Sequence, residues 1–339
     1  MWHRIFTVLL SLSVSAFSYS AGQNFPGDTL AQGEQFASTS MSMSDWYYAA
    51  DFVGNASPFD DEGEPIDDTQ RGFGDAQNKG YDFTTYLTYM FGLTSDISLG
   101  LRYGYRYQKD ESEIDSSGFS NLAGDWKTEG GTDLTLLGKY RLDETTSADL
   151  SVQLPICSSS SVSDLCNSRP AIPENNQQTG RSGGQGDGYY QVTGGVSSHW
   201  LTAMDTHWMG SLFASATLSD DVFGEKVSAP FTYGASFGGI FFLRKNHQWT
   251  GTLRVARAMS YSAYSIQLQE NVNYSDSSVV SFKGEYLWDF MSHVQLRPFA
   301  VVAIDQQPTQ SFVTNNEKRT LEYTAGTKVT LGAELRATF

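Results

Sequence analysis

Hydrophobic side chains recur at every second position in many stretches of the chain. In residues 98–108, Leu99, Leu101, Tyr103 and Tyr105 alternate with small, polar or basic residues. Because the side chains of a strand point to alternate faces, each such stretch predicts a strand with one apolar face. Twelve strands are predicted in this way, at residues 38–53, 81–93, 98–108, 132–141, 148–154, 190–200, 208–218, 231–243, 249–255, 280–290, 295–305 and 329–339.

Two of these strands are irregular. In the first, the alternation breaks near Asp45 and Trp46. In the eleventh, Pro298 lacks the N–H that a ladder hydrogen bond needs, which indicates a bulge or the start of a strand. Counting both, the number of strands is even, as outer-membrane barrels prefer.

The connections between the predicted strands alternate strictly between short and long. The short ones are TSD, LDETTS, LTAMDT, RKNH and MSHV; the long, polar ones span residues 54–80, 110–131, 157–188, 219–230, 262–278 and 306–321. Short periplasmic turns and long extracellular loops give this rhythm in outer-membrane barrels, whereas a soluble sandwich or a lipocalin-like protein has no reason for it. Five aromatic residues lie next to short connections, where an inner aromatic girdle is expected: Trp200, Trp208, Trp249, Trp288 and Phe290.

These patterns predict an all-β protein of the cell outer membrane. The expected fold is a transmembrane antiparallel up-and-down β-barrel of about twelve strands, over residues 38–339. Residues 1–20 are typical of a secretory signal peptide, with an apolar stretch that is too short to span a bilayer and cleavage expected after Ala16 or Ser20. Residues 21–37 then form a periplasmic N-terminal segment, which is polar and is a candidate plug.

Net charge and cysteine content indicate which binding partners and cross-links to expect. The formal net charge of −16 disfavours nucleic acid, whose phosphates it repels. Cys157 and Cys166 lie close together in a polar loop of an exported protein, which favours a disulfide. The acidic loop at residues 59–68 lacks EF-hand spacing, so it is expected to be solvated and bridged to lipopolysaccharide by divalent ions. No metal site and no cofactor is predicted.

Two segments carry resemblances to known proteins. Residues 329–339, apolar at alternate positions and ending in Phe339, resemble the signal by which the barrel assembly machinery recognises its clients. GTDLTLLGKYRLDETTSADLSVQLPI, followed by GGQGDGYYQVTGGVSSHW, resembles the outer-membrane family named after the meta-pathway of phenol degradation. Ile156 and Cys157 stand where that family usually has Thr-Gly. The resemblance implies a barrel that passes hydrophobic or aromatic compounds.

Alternation also predicts which charged side chains face the lumen. The basic ones are Arg102, Arg106, Lys139, Arg141, Arg254, Lys283, Arg297, Lys328 and Arg336, and the acidic ones are Asp133, Asp149, Glu285, Asp289 and Glu334. The lumen is therefore expected to be net basic. Such a lumen either selects anions, including small aromatic carboxylates, or only pairs its charges across a narrow barrel; the sequence leaves both open.

No enzyme is predicted. Barrel phospholipases and proteases act at the outer leaflet, whereas His199, His207, His247 and His293 lie at or beside predicted periplasmic turns. We expect a barrel that passes small aromatic or anionic solutes by passive or facilitated diffusion. Its other expected contacts are with outer-membrane lipid, lipopolysaccharide and the assembly machinery. The alternative is a structural or adhesive barrel that acts through its extracellular loops.

Overall fold

The structure is a computed structural model, and every region that it describes is strand, turn or extended chain. The described residues are 28–54, 72–114, 124–154, 156, 190–201, 206–217, 225–227, 231–244, 246–265, 270–291, 293–306, 308–314, 317–323 and 325–339. Within this part of the chain, no helix is long and apolar enough to cross a membrane. The predicted signal peptide, acidic loop and Cys157–Cys166 disulfide lie outside the described residues.

Twelve antiparallel strands close into a barrel, which confirms the predicted fold. They are β1 Gln35–Gly54, β2 Gly72–Gly92, β3 Ile97–Ile114, β4 Gly124–Gly131 with Leu134–Arg141, β5 Thr146–Leu154, β6 Gln191–Leu201, β7 His207–Thr217, β8 Phe231–Arg244, β9 His247–Ala258 with Tyr261–Ser265, β10 Glu270–Tyr274 with Ser277–Met291, β11 Val294–Gln306 with Gln310–Thr314, and β12 Glu317–Tyr323 with Gly326–Thr338. A three-residue strand, Glu225–Val227, pairs with Tyr261–Ser265 of β9.

Pairing of β1 with both β2 and β12 closes the sheet. Along β12 the contact is continuous from Phe36, opposite Thr338, to Tyr47, opposite Thr327. At the end of the chain, Gln35 and Phe339 exchange backbone hydrogen bonds of 3.1 and 2.9 Å. Closure leaves no unpaired edge along these strands, so their backbone N–H and C=O groups are satisfied without water.

The outer surface of the barrel is apolar and the inner surface is polar. Leu87, Leu212 and Leu331 point outward and are 58%, 66% and 61% exposed, and other large apolar side chains of all twelve strands are exposed in the same way. The alternate positions carry mostly Ser, Thr and charged side chains, and many of these are buried. An apolar band around a closed barrel fits the hydrocarbon of a bilayer. The barrel therefore has the outer surface of a membrane-spanning protein.

Aromatic rings form a girdle at the end of the barrel that carries the short turns. The ring of Phe237 stacks on Trp208 with centroids 5.2 Å apart and lies 6.1 Å from Trp200. Phe241 continues the row to Trp249 at 5.6 Å. Because rings of this kind settle at the membrane–water interface, and short turns face the periplasm, we name this end the periplasmic end.

Three sequence-based expectations need correction. In β1 the alternation does not break: Asp45 is exposed on the outside, whereas Trp46 is 2% exposed and lies inside. Pro298 marks neither a bulge nor a strand start. The β10–β11 ladder is interrupted opposite Tyr286 and resumes in the same register, because proline has no N–H to donate.

The third correction concerns the long polar connections. Strand pairing continues well into them, as in β2 from Gly72 and in the outer segments of β9 to β12. Both faces of such an extension meet water, so the apolar marker that identifies a membrane strand is missing there. The barrel wall therefore extends beyond the lipid belt.

An outward arginine at mid-height tests the membrane assignment. Leu331→Arg places a charge on the lipid face near the middle of β12, and we expect it to lower the free energy of unfolding by about 2–4 kcal/mol. Thr327→Arg, on the same face nearer the extracellular end, should cost about 0–1 kcal/mol. Denaturant unfolding of protein refolded into lipid vesicles measures both. Equal costs at the two positions would contradict the assignment.

Candidate functional site: the barrel lumen

Short hydroxyl side chains cover much of the lumen wall. Ser44 and Thr330 are hydrogen-bonded at 2.9 Å across β1 and β12, and Thr193 donates to Ser215 at 2.9 Å across β6 and β7. Within each pair, the two hydroxyl groups satisfy each other's hydrogen-bonding capacity. The longer side chains that lie between them define the site.

One buried charge cluster lies in the β12–β1–β2–β3 wall. The Asp82 carboxylate accepts a hydrogen bond from Arg106 Nη2 at 2.6 Å and lies 3.5 Å from Lys328 Nζ. Tyr48, also on β1, donates to Asp305 of β11 at 3.3 Å. Sequence reasoning did not assign Asp82 and Asp305 to the lumen. The sequence does contain a pattern that assigns Asp82 to the lumen, because Asp82 lies between Tyr81 and Phe83, which face outward.

A second cluster joins β10, β11 and β12. Lys283 Nζ lies 2.8 Å from Glu285, and Arg336 Nη2 lies 2.8 Å from Glu334. Arg297, which is 1% exposed, stands directly opposite Glu334 in the ladder. Leaving any one of these charges without its partners would cost several kcal/mol, so the set is a structural unit as well as a charged surface.

The third cluster lies in β4 to β6, near the periplasmic end. Lys139 Nζ lies 3.8 Å from Asp149, whose other carboxylate oxygen accepts a hydrogen bond from Ser197 at 2.5 Å. Arg141, two residues further along β4, lies 4.0 Å from Asp96 of the β2–β3 turn. These basic groups therefore stand just inside the periplasmic mouth.

The remaining predicted lumen residues also lie on the inner face. Asp133 accepts a hydrogen bond from Gln153 at 3.2 Å, Asp289 accepts one from Gln295 at 2.6 Å, and Arg102 and Arg254 stack on aromatic rings. With Asp82 and Asp305 added to the predicted set, nine basic and seven acidic side chains of the described strands face the lumen, and Asp28, which precedes β1, adds an eighth acid at the mouth. The basic excess is smaller than the sequence indicated, because these acids were missed.

Four of the basic side chains lie over aromatic rings that also face the lumen. The distances from the cation to the ring centroid are 4.6 Å for Arg254–Phe213, 4.8 Å for Lys283–Phe299, 5.3 Å for Lys328–Trp46 and 5.6 Å for Arg102–Tyr86. A cation over a ring face is attracted by the ring quadrupole, with about 0.5–2 kcal/mol depending on desolvation. We call these four the ring–cation pairs.

Each ring of a ring–cation pair faces a glycine on the neighbouring strand. The partners in the ladders are Trp46 with Gly80, Tyr86 with Gly104, Phe213 with Gly234 and Phe299 with Gly332. A Cβ at Gly234 would stand 2.6 Å from Phe213 Cζ, which is too close for any side chain. The glycine therefore lets the ring lie against the wall, and the cation above it faces the lumen.

The N-terminal residues 28–34 fold into the periplasmic mouth. Thr29 Oγ1 donates to the Ser95 carbonyl at 2.8 Å, and Leu30 N donates to Ser98 Oγ at 2.8 Å. Leu30 is 1% exposed and packs with Phe36, Met90 and Leu137 inside the wall. We call residues 28–34 the N-terminal strap; β1 follows it directly at Gln35.

The carboxylate of the strap reaches the third charge cluster. Asp28 Oδ1 lies 3.9 Å from His199 Nδ1 on β6. Burial raises the pKa of the Asp28 carboxyl, and His199, Lys139, Arg141 and His207 act in the opposite direction. The strap thus crosses from the β2–β3 turn to β6, and its acid meets the basic groups at the mouth.

All four histidines of the described chain lie at the periplasmic end, as predicted. His199 and His207 neighbour each other across the β6–β7 hairpin with ring centroids 6.4 Å apart. His247 accepts or donates through Nδ1 to the Tyr286 hydroxyl at 2.6 Å, and His293 lies in a turn.

Alanine at Gly234 tests the ring–cation arrangement. The new methyl group would overlap the Phe213 ring and the Val255 carbonyl oxygen, so we expect a loss of about 1–3 kcal/mol in the free energy of unfolding. Gly194→Ala is the matched control, because a Cβ there meets nothing within 4 Å. Urea unfolding of the refolded barrel measures both, and an unchanged stability of Gly234→Ala would show that the ring does not need the glycine.

Comparisons with known proteins show low similarity. No family model and no curated protein matches the chain. Among solved structures, an outer membrane channel from Pseudomonas putida F1 is 13% identical over 92% of this chain and 98% of its own, with a TM-score of 0.47. The TodX monoaromatic hydrocarbon channel is 11% identical over 95% of both chains (TM-score 0.42), and the transport unit of the autotransporter AIDA-I from Escherichia coli is 9% identical over 98% and 97% (TM-score 0.48). At these values the predicted family stays a prediction.

Proposed function

We propose that the protein is an outer-membrane channel through which small aromatic carboxylates cross by facilitated diffusion. The observation that carries the proposal is the set of ring–cation pairs, which places aromatic and basic side chains together on the inner face of the wall. Trp46 and Lys328 are buried there, whereas the Lys283 side chain is 31% exposed. A permeant that combines an aromatic ring with an anionic group matches both parts of each pair.

The charges of the lumen support a preference for anions. Basic side chains outnumber acidic ones on the described inner face, in a chain whose net charge is strongly negative. Rings of arginine and lysine favour anions in channels. The ion pairs at Asp82, Asp149, Glu285 and Glu334 show that charge pairing also holds the wall together. Structural pairing and selectivity therefore use the same residues.

The ring–cation pairs are distributed around the wall and are not gathered in a single pocket. Phe213 and Arg254 belong to β7 and β9, Phe299 and Lys283 to β11 and β10, and Trp46 to β1. Several weak contacts in sequence let a solute enter and leave, whereas one strong site would retain it. Aromatic–cation contacts of about 0.5–2 kcal/mol each have this strength.

Uptake into proteoliposomes tests the proposal with three probes at pH 8. Benzoate carries ring and charge, cyclohexanecarboxylate carries charge without a ring, and benzyltrimethylammonium carries a ring with the opposite charge. We expect channel-dependent uptake to be fastest for benzoate and slowest for the cation, after subtraction of leakage into protein-free vesicles. Equal uptake of benzoate and benzyltrimethylammonium would overturn the proposal.

Variants of two arginines on β9 test whether the selectivity for benzoate arises from the lumen. Arg254→Gln removes one lumen cation and should slow benzoate uptake several-fold while leaving uptake of the cation unchanged or faster. Arg257→Gln is the matched control, because Arg257 lies on the same strand but points outward, with its side chain 55% exposed and paired with Asp276. Phe213→Leu should narrow the ratio between benzoate and cyclohexanecarboxylate. Equal effects of Arg254→Gln and Arg257→Gln would place the selectivity elsewhere.

A further inference from the structure

The N-terminal strap is fixed to the wall by backbone contacts at one end. Gly33 N donates to the Gly92 carbonyl at 2.8 Å, and Gly92 N donates to the Glu34 carbonyl at 2.9 Å. Ala31 N donates to Glu34 Oε2 at 2.8 Å, and Gly33 takes a φ of +83°, so the strap turns tightly back toward the lumen. Such a φ is accessible to glycine at no steric cost.

Gly92 allows the strap to lie this close. A Cβ at this position would overlap the Ala31 carbonyl oxygen, which belongs to the strap backbone. At Gly138, which lies on the neighbouring wall, a Cβ would meet its nearest atom at 3.8 Å, an ordinary contact. The two glycines therefore differ in whether a methyl group displaces the strap.

At Asp28 the strap presents a carboxylate to a group of basic side chains. Asp28 interacts with His199, Lys139, Arg141 and His207, which belong to β4, β6 and β7. Its carboxylate is 29% exposed, and Lys139 is buried. Lys139, Arg141 and two imidazoles lie around the Asp28 carboxylate at this mouth, where Lys139 and Arg141 also pair with Asp149 and Asp96. Basic groups of this kind bind carboxylates.

We propose that Lys139, Arg141, His199 and His207 form a carboxylate site at the periplasmic mouth, which Asp28 occupies as a tethered competitor. A permeating carboxylate must displace Asp28 to occupy this site before it leaves the barrel. The proposal rests on the proposed function for the identity of the permeant. The contacts that hold the strap do not depend on that function.

Tethering sets the strength of the competition. Thr29 and Leu30, which are buried and hydrogen-bonded to the wall, hold Asp28 at the mouth, so its carboxylate competes with free solutes as an intramolecular ligand. Removing the strap carboxylate should therefore lower the Kd of a free carboxylate for the mouth by about three- to tenfold. Displacing the whole strap should have the same effect, although the carboxylate is still present.

Isothermal titration of benzoate into the refolded full chain tests this. Asp28→Asn and Gly92→Ala should each lower the Kd of benzoate by about three- to tenfold. Glu144→Gln, which removes an exposed acid from a periplasmic turn, and Gly138→Ala should leave it unchanged. Adding Arg141→Gln to Asp28→Asn should reverse the gain. Heat-modifiable migration in gels confirms that each variant is a folded barrel.

Two outcomes separate this site from the proposed function. If folded Asp28→Asn and Gly92→Ala bind benzoate as the parent does, the tethered competitor is wrong, whatever the uptake assay shows. If the Kd falls in both variants while the parent takes up benzoate and benzyltrimethylammonium equally, the site stands and the proposed function falls. If the Kd of benzoate fell in Asp28→Asn but not in Gly92→Ala, the change would come from the lost charge of Asp28 alone. The proposed role of the strap would then be wrong.

Discussion

Closure of the sheet between β1 and β12 is the constraint on which the other features depend. In lipid no water is present to satisfy backbone N–H and C=O groups, so a sheet can cross only without edges. Once the sheet is closed, every strand has one face in lipid and one in the lumen. The outward Leu331 and the inward Lys328 of β12 illustrate the division, since both follow from the same two-residue period.

Placing charges inside a closed barrel creates a second requirement, because each must be stabilised without bulk water. The structure meets it with ion pairs such as Asp82–Arg106 and with aromatic rings beneath cations, as in Arg254–Phe213. Glycines on neighbouring strands let those rings lie against the wall. The arrangement stabilises charges on the inner face of the wall: some, such as Asp82 and Arg106, are buried, and others, such as Lys283, stay partly exposed.

Much of the fold could be predicted from the sequence, and much less of the site. Alternation marks a strand wherever one face meets lipid, but it fails where a strand extends into water, as in β2 from Gly72 to Gly80. It also treats large aromatic side chains as outward, so Trp46 looked like a break. The pairing of Phe213 with Gly234 depends on strand register, which is set by the tilt and stagger of the barrel and not by the period of either strand.

The sign of the selectivity is the central claim, and the reversal potential tests it most directly. Single channels of the refolded parent protein are recorded in a planar bilayer across a tenfold gradient of potassium chloride. The basic excess of the lumen predicts a reversal potential of the sign set by chloride. A reversal potential near zero, or of the sign set by potassium, would contradict the account.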